Sequence, residues 1–212
     1  MNTGILNTSP LLKQKAYFLE KLSSIVHVSP NRLSTENIQI QIPPFTNKSF
    51  ALLSSDLLML VEQAKTFTIE EDQLIYEFSE SVNHRTIHIN KSIKIYDVSY
   101  PEINVNTPIN TLRLPSSLLA ILRKINDLEF YKFNLTEDGK LIISSLGVVK
   151  LEIIQSNLAP HNNNPWKMTF KAKDFLFLNW SNEVVMCMFE AFALFYIFEE
   201  DTTTVIKAHG IE

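Results

Sequence analysis

The sequence predicts an α+β protein of two domains, in which antiparallel sheets dominate and short amphipathic helices are set between them. Three observations lead there. Four segments with helical periodicity begin near residues 9, 54, 115 and 170, at spacings of 45, 61 and 55. Most of the chain between them alternates polar with apolar residues and is rich in Ile, Val, Phe and Tyr, the pattern of half-buried strands. The second and third helical segments are also copies of one design. "LSSDLLMLVEQAK" leading to "IEEDQLI" parallels "LPSSLLAILRKIND" leading to "LTEDGKLI", with a Ser start, an apolar stripe and an acidic turn into a strand. With a short apolar strand before each helix and roughly three strands after it, the chain reads as four βαβββ units, two per half.

The first helix is expected over 9–26, with Ser9 as cap and Pro10 at the first helical position. Leu11, Phe18, Leu22 and Ile25 form its apolar face, and Lys13, Tyr17, Lys21 and Ser24 the opposite one. The second spans 54–65, with Leu57, Leu60, Val61 and Ala64 inward. The third spans 115–128, with Leu118, Leu122 and Ile125 inward and Ala120, Arg123, Lys124 and Asp127 outward. The fourth, "FKAKDFLFL" (170–178), is short enough to be either helix or strand. Strands are expected at 37–42, 72–78, 85–90, 92–98, 129–135, 140–145, 148–154, 183–189, 193–199 and 204–208, with "EDG" at 137–139 as a hairpin turn. "YPEINVNTPIN" (100–110) has two prolines and no period, so the domains are placed at 1–99 and 111–212 with 100–110 as connector.

Charge follows element type. The chain carries 19 Lys and Arg against 23 Asp and Glu, a formal net charge of −4. Over 11–25, 54–66, 115–128 and 170–179, eight cations (Lys13, Lys15, Lys21, Lys65, Arg123, Lys124, Lys171 and Lys173) face five acids, so the helices hold +3 and the remainder −7. The second helix is the exception, at −1. This segregation predicts that the helices present one basic surface to a polyanion, while the sheets face outward and acidic. Such a surface touches phosphates without reading bases.

Catalytic signatures are missing. Four glycines argue against a glycine-rich phosphate loop, and there is no G-x-S-x-G elbow or paired-cysteine metal pattern. The single Cys187 lies in an apolar alternating run and reads as a small buried hydrophobe in a reducing compartment. His84 and His88 share a strand face but sit about 13 Å apart, too far for one ion. The acids at 70–72 and 199–201 fall where turns are expected. No enzyme, cofactor or metal site is therefore expected. "MNTGILNTSP" has no basic start or long apolar core, and the most apolar run, Val184 to Phe198, is interrupted by Glu190. A soluble intracellular protein with no membrane partner is the expectation.

Repeated βαβββ units, two per domain, a Pro-containing connector and basic helices in an acidic chain resemble the DNA sliding clamps. These are the ring-shaped polymerase processivity factors, among them proliferating-cell nuclear antigen and the T4-type phage clamps. The closest stretch is "LRLPSSLLAILRKINDLEFYKFNLTEDGKLIISSLGVVKLEI", which looks like the start of a clamp's second domain. "KMTFKAKDFLFL", "EVVMCMF" and "ALFYIFEEDTTTVIKAHGI" look like its close, and the first half is similar from about Phe50 to Tyr100. The length is similar to that of the phage proteins, so the resemblance implies a viral clamp, in the host cytoplasm, or in the nucleus if the source is eukaryotic.

The resemblance implies a homotrimer closed head to tail, with sheets outside and helices lining one concave face around duplex DNA. The subunits join through "SIKIYDV" and "VVKLEII". Lys13, Lys15, Lys21, Lys65, Arg123, Lys124, Lys171 and Lys173 face the DNA without sequence preference. DNA polymerase and clamp loader dock peptides in a pocket bordered by Tyr100, Pro101, Ile103, Val105, Pro108, Ile109, Val205, Ile206 and Ala208. The alternative is a β-rich structural or interaction protein that forms no ring, such as a viral structural component or a clamp-like transcription factor. All helices on one surface would separate the two.

Overall fold

The computed structural model of the chain describes residues 2–103, 107–124, 129–146, 152–155, 160, 162, 164–172, 175 and 183–211. It is an α+β fold of mostly antiparallel sheets, with three helices among the described residues. The chain divides into two compact units, Met1–Glu102 and Ile103–Glu212, and the division falls inside the 100–110 segment.

Unit 1 runs β1 (Asn2–Ile5), α1 (Pro10–Leu22), β2 (Ile25–Ser29), β3 (Arg32–Ser34), β4 (Ile38–Gln41), β5 (Phe50–Leu53), α2 (Ser54–Gln63), β6 (Thr66–Glu70), β7 (Gln73–Val82) and β8 (Arg85–Lys94). The order is strand, helix, three strands, twice over. The leading strands change places. β1 joins β6, β7 and β8 in the order β1-β6-β7-β8, and β5 joins β2, β3 and β4 in the order β5-β2-β3-β4. Each βαβββ segment therefore cannot complete its sheet without the other, which locks the two into one folding unit.

Unit 2 runs β9 (Asn110–Leu114), α3 (Ser116–Lys124), β10 (Phe130–Leu135), β11 (Leu141–Leu146), β12 (Glu152–Gln155), β13 (Trp166–Lys171), β14 (Val184–Met188), β15 (Phe192–Glu199) and β16 (Thr202–His209). The same exchange recurs. β9 joins β14-β15-β16, and β13 joins β10-β11-β12. All these pairings are antiparallel.

Local chemistry explains the boundaries. Ser9 Oγ accepts from Leu12 N at 3.1 Å and Pro10 opens α1, as its sequence predicts. The helix stops at Leu22 rather than 26, because Ser23 turns extended (φ −144°, ψ 148°) and Ile25 enters β2. β-Branched Ile25, Val26 and Val28 favour the strand. The buried stripe of α1 is Leu12, Lys15, Ala16, Phe18 and Leu19, while Leu11 and Leu22 are half-buried. The helix is thus rolled by about one residue from the expected face. α2 lacks a side-chain cap but is held by Ser54 N donating to Ser24 O at 3.0 Å, and Asp56 in its first turn complements the helix dipole. α1 and α2 pack against each other.

Two expected strands, 85–90 and 92–98, are one strand, β8, and Ile95–Val98 lie outside it. Of the segment 170–178, expected as helix or strand, residues 170–171 belong to β13. Trp166, Met168 and Phe170 are buried while Lys167 and Lys171 are exposed, a period of two. Ala172 and Phe175 each have 3₁₀ geometry, and 173–174 and 176–182 lie outside the described residues. Of the strand expected at 148–154, the described part is β12. Residues 125–128 of the expected third helix also lie outside the description.

Both cores are apolar. In unit 2 the rings of Tyr131, Phe133, Phe170, Phe175 and Phe195 meet at centroid distances of 5.3–6.1 Å. Trp166 fills the end of that cluster and donates Nε1–H to Phe189 O at 2.8 Å. The acids placed in turns by the sequence do sit there: Glu71 and Asp72 link β6 to β7, and Glu200 and Asp201 link β15 to β16. Gly139, at φ 74°, closes the β10–β11 hairpin where "EDG" predicts a turn.

Candidate functional site

The helical surface of unit 1 is only partly basic. Lys13, Tyr17, Glu20 and Lys21 are exposed on α1, and Lys21 Nζ lies 4.3 Å from the Tyr17 ring centroid one turn back. On α2 the exposed residues are Ser55 and Glu62, and Lys65 is exposed just beyond the helix. Burial pushes the Asp56 carboxyl up, while Lys91 on the neighbouring sheet pulls it down. Lys15 corrects the expected set. It is 2% exposed, on the Leu12–Ala16–Leu19 stripe, so it belongs to the packing of unit 1 and not to its exposed basic surface.

On α3, Leu118, Leu119 and Leu122 are buried, and Ser116, Ser117, Ala120 and Ile121 are exposed. Arg123 and Lys124 close this helix; their side chains lie outside the described residues, as does Lys173. Lys171 is on no helix. As the last residue of β13 it shares the solvent face of a sheet with Lys167 and Lys132. The expectation that sheet faces are acidic is therefore wrong for this sheet. Lys132 and Lys167 were missed by weighing helices alone, although "EFYKFNL" and "WKMTFK" both place lysine at outward positions of an alternating run.

The pocket residues divide by face. On β16 buried and half-buried residues alternate, so Ile206 (4% exposed) and Ala208 (2%) point into the core of unit 2. They cannot border an open pocket; Val205, on the other face, is half-buried. In the connector, Pro101 and Ile109 are exposed, Tyr100, Ile103 and Pro108 are half-buried, and Val105 lies outside the described residues. Pro101 is tethered in unit 1 by Gln39 Nε2 donating to its carbonyl at 2.7 Å. Ile109 N donates to Met188 O at 2.8 Å, and Asn110 already belongs to β9, so the connector ends earlier than 110.

Other chemical groups form no reactive set. A cleft of about 390 Å³ in unit 1 is lined by His27, Phe50, Glu71, Asp72, Tyr96 and Asp97 among others. Burial, then the charge of Arg32, holds the His27 imidazole below its ordinary range, so it is neutral near pH 7. Cys187 is half-buried and burial raises its thiol, against a weak 3.8 Å bond from Thr111 Oγ1, the reverse of an activated thiolate. His84 is in the β7–β8 turn, not on a strand face beside His88; His88 Nδ1 instead meets Ser79 Oγ at 3.0 Å and Glu77 at 3.4 Å. Among the described residues, no three His, Cys, Asp or Glu side chains are grouped to hold a metal ion. Among them too, no helix is long and apolar enough to cross a membrane.

No protein-family model matches the chain, and no curated protein matches its sequence.

Proposed function

We propose that the chain is a sliding clamp: copies of it close into a ring around duplex DNA and tether a DNA polymerase for processive synthesis. The observation that carries this reading is the exchange of leading strands between successive segments, which recurs in both units. Four segments of the same strand pairing per chain are what a ring of high pseudo-symmetry needs from few subunits. The open sheet edges are consistent with it. Among the described residues β8 ends one sheet of unit 1 and β12 ends one sheet of unit 2, edges at which a further strand can pair. In the proposed trimer β8 of one copy pairs with β12 of the next, a heterologous contact that closes at three.

Function is then topological. A closed ring stays on DNA without tight binding, so a thin set of cations suffices: Lys13, Lys21 and Lys65 from unit 1, and Arg123 and Lys124 from α3. Each touches phosphates loosely, and none reads a base. The polymerase and the loader that opens the ring dock at the connector, around Tyr100, Pro101, Pro108 and Ile109.

A second reading, an interaction protein that forms no ring, is favoured by the modest charge of the helical surface, where Glu20 and Glu62 offset two of the exposed lysines. Light scattering combined with primer extension on a primed circular template separates the two. The clamp reading expects a trimer and longer products with the cognate polymerase and loader. A monomer at high concentration that leaves product length unchanged would sink it.

A further inference from the structure

The solvent face of the β13-β10-β11-β12 sheet is divided into a basic half and an aliphatic half. Lys132 stands opposite Thr169, and Lys167 and Lys171 lie two residues to either side of that threonine. Lys167 and Lys171 are thus about 13 Å apart along β13, with Lys132 diagonally between them at about 7–8 Å from each. The Lys132 and Lys167 ammonium groups face one another, and their repulsion lowers the Lys132 pKa. Among the described residues none of the three lysines forms an ion pair. Two like charges are held together with no acid of the described residues between them.

The next row across the sheet runs from this basic strip to an apolar edge. Lys167 is opposite Asn134, Asn134 opposite Ile142, and Ile142 opposite Ile154 on β12. Ile154 is 56% exposed, the highest value among the exposed large hydrophobic residues. At about 4.8 Å per strand, the row spans about 14 Å. The acid on the described part of this face is Glu152, opposite Ser144 and two strands away from Lys132, too distant to neutralise it.

We propose that this face docks an acidic segment of a partner protein, whose carboxylates meet Lys132, Lys167 and Lys171 while its apolar side chains cover Ile142 and Ile154. Charge complementarity selects the acids and the exposed isoleucine selects an apolar neighbour. Nucleic acid fits less well. Single strands need aromatic platforms for their bases, and on the described face only Phe130, half-buried, is aromatic. This docking surface does not depend on ring formation.

The test uses the full chain and two labelled probes. One is a peptide with a glutamate-rich half and a half alternating leucine with serine; the other is an oligothymidylate. Fluorescence anisotropy should show salt-sensitive binding of the peptide. The triple variant Lys132→Glu, Lys167→Glu, Lys171→Glu should weaken it about tenfold or more, and Ile154→Asp should weaken it with the lysines intact. Because the three lysines stand on the solvent face, the fold should persist; a Lys→Gln triple variant repeats the test if reversal disturbs it. No binding at millimolar peptide, or binding indifferent to both triple variants, overturns the proposal. So does tighter, lysine-dependent binding of the oligothymidylate, which would make the face a nucleic-acid surface.

Discussion

Asn110 shows how one polar residue can be both wholly buried and fully used. It is 0% exposed, its Nδ2 donates to the carbonyls of Asn162 and Asn164, and its Oδ1 accepts from Thr111 N and Asn162 N at 2.9 and 3.1 Å. The side chain pins a loop to the start of β9. Asn110→Ala strands these backbone groups, so a loss of about 1–3 kcal/mol is expected from the midpoint of chemical denaturation. A change within 0.5 kcal/mol, the usual range at ordinary surface sites, would show that the loop finds other partners. His27 is the opposite case, with Nδ1 buried and without a hydrogen-bond partner among the described residues. Its pKa lies below its ordinary 6.5 when folded, so the unfolded chain binds a proton more readily. The stabilisation is complete above 6.5 and is lost as pH falls from there through the folded value. Thermal unfolding between pH 8 and 5 should therefore fall more steeply for the native chain than for His27→Leu. Parallel profiles would mean that Glu71, Asp72 and Asp97, which line the same cleft, compensate the imidazolium.

At the scale of elements, what could be read in advance depended on whether the signal was local. α1 was legible because its cap, its proline and its period lie within one stretch, and the hairpin at 137–139 because Gly139 supplies the turn itself. The roll of α1 was not legible. Leu11, Leu12, Leu19 and Leu22 permit two apolar faces, and tertiary packing selects the one that buries Lys15. β8 was read as two strands because Asn90, Lys91 and Ser92 interrupt its apolar run. On an edge strand with one wet face, such residues cost little, and pairing with ten residues of β7 carries the strand through. The segment at 170–178 stayed open between helix and strand for the converse reason. "FKAK" repeats lysine at a spacing that fits a helix or a strand, and the partner that decides, β10, lies about forty residues earlier. The exchange of β1 and β5, or of β9 and β13, leaves no mark in composition at all, since it is a choice of partner. The candidate surfaces inherited these limits. Lys13 and Lys21 were placed correctly on an exposed face, while Lys15 and Lys171 were assigned from a helix register that tertiary contacts changed.

For the whole molecule, the proposed mechanism differs from ordinary DNA binding in what salt and topology do to it. A protein held by phosphate contacts alone loses affinity steeply with ionic strength, because each contact releases condensed counterions. The exposed cations counted above are few, and the net charge of −4 is unfavourable for binding by attraction. Linkage removes that objection. Once a ring encloses a closed circle, salt weakens its contacts but cannot separate two linked rings unless an interface opens. Loaded onto circular duplex DNA, the protein should thus remain with it through gel filtration at a salt concentration that abolishes direct binding. Cutting the circle once should release it, because it can slide off an end. Retention lost equally from circle and line would mean the contacts are electrostatic and the chain forms no ring. Equal retention on both would mean tight binding, which the sparse cations of α1 and α2 do not explain. A substitution at the proposed subunit edge, Asn90→Pro on β8, sharpens the outcome, since the Asn90 N–H points away from β7 to the open edge, and proline removes that donor and disfavours pairing there. It should abolish retention on the circle and leave weak, salt-sensitive binding to linear DNA unchanged.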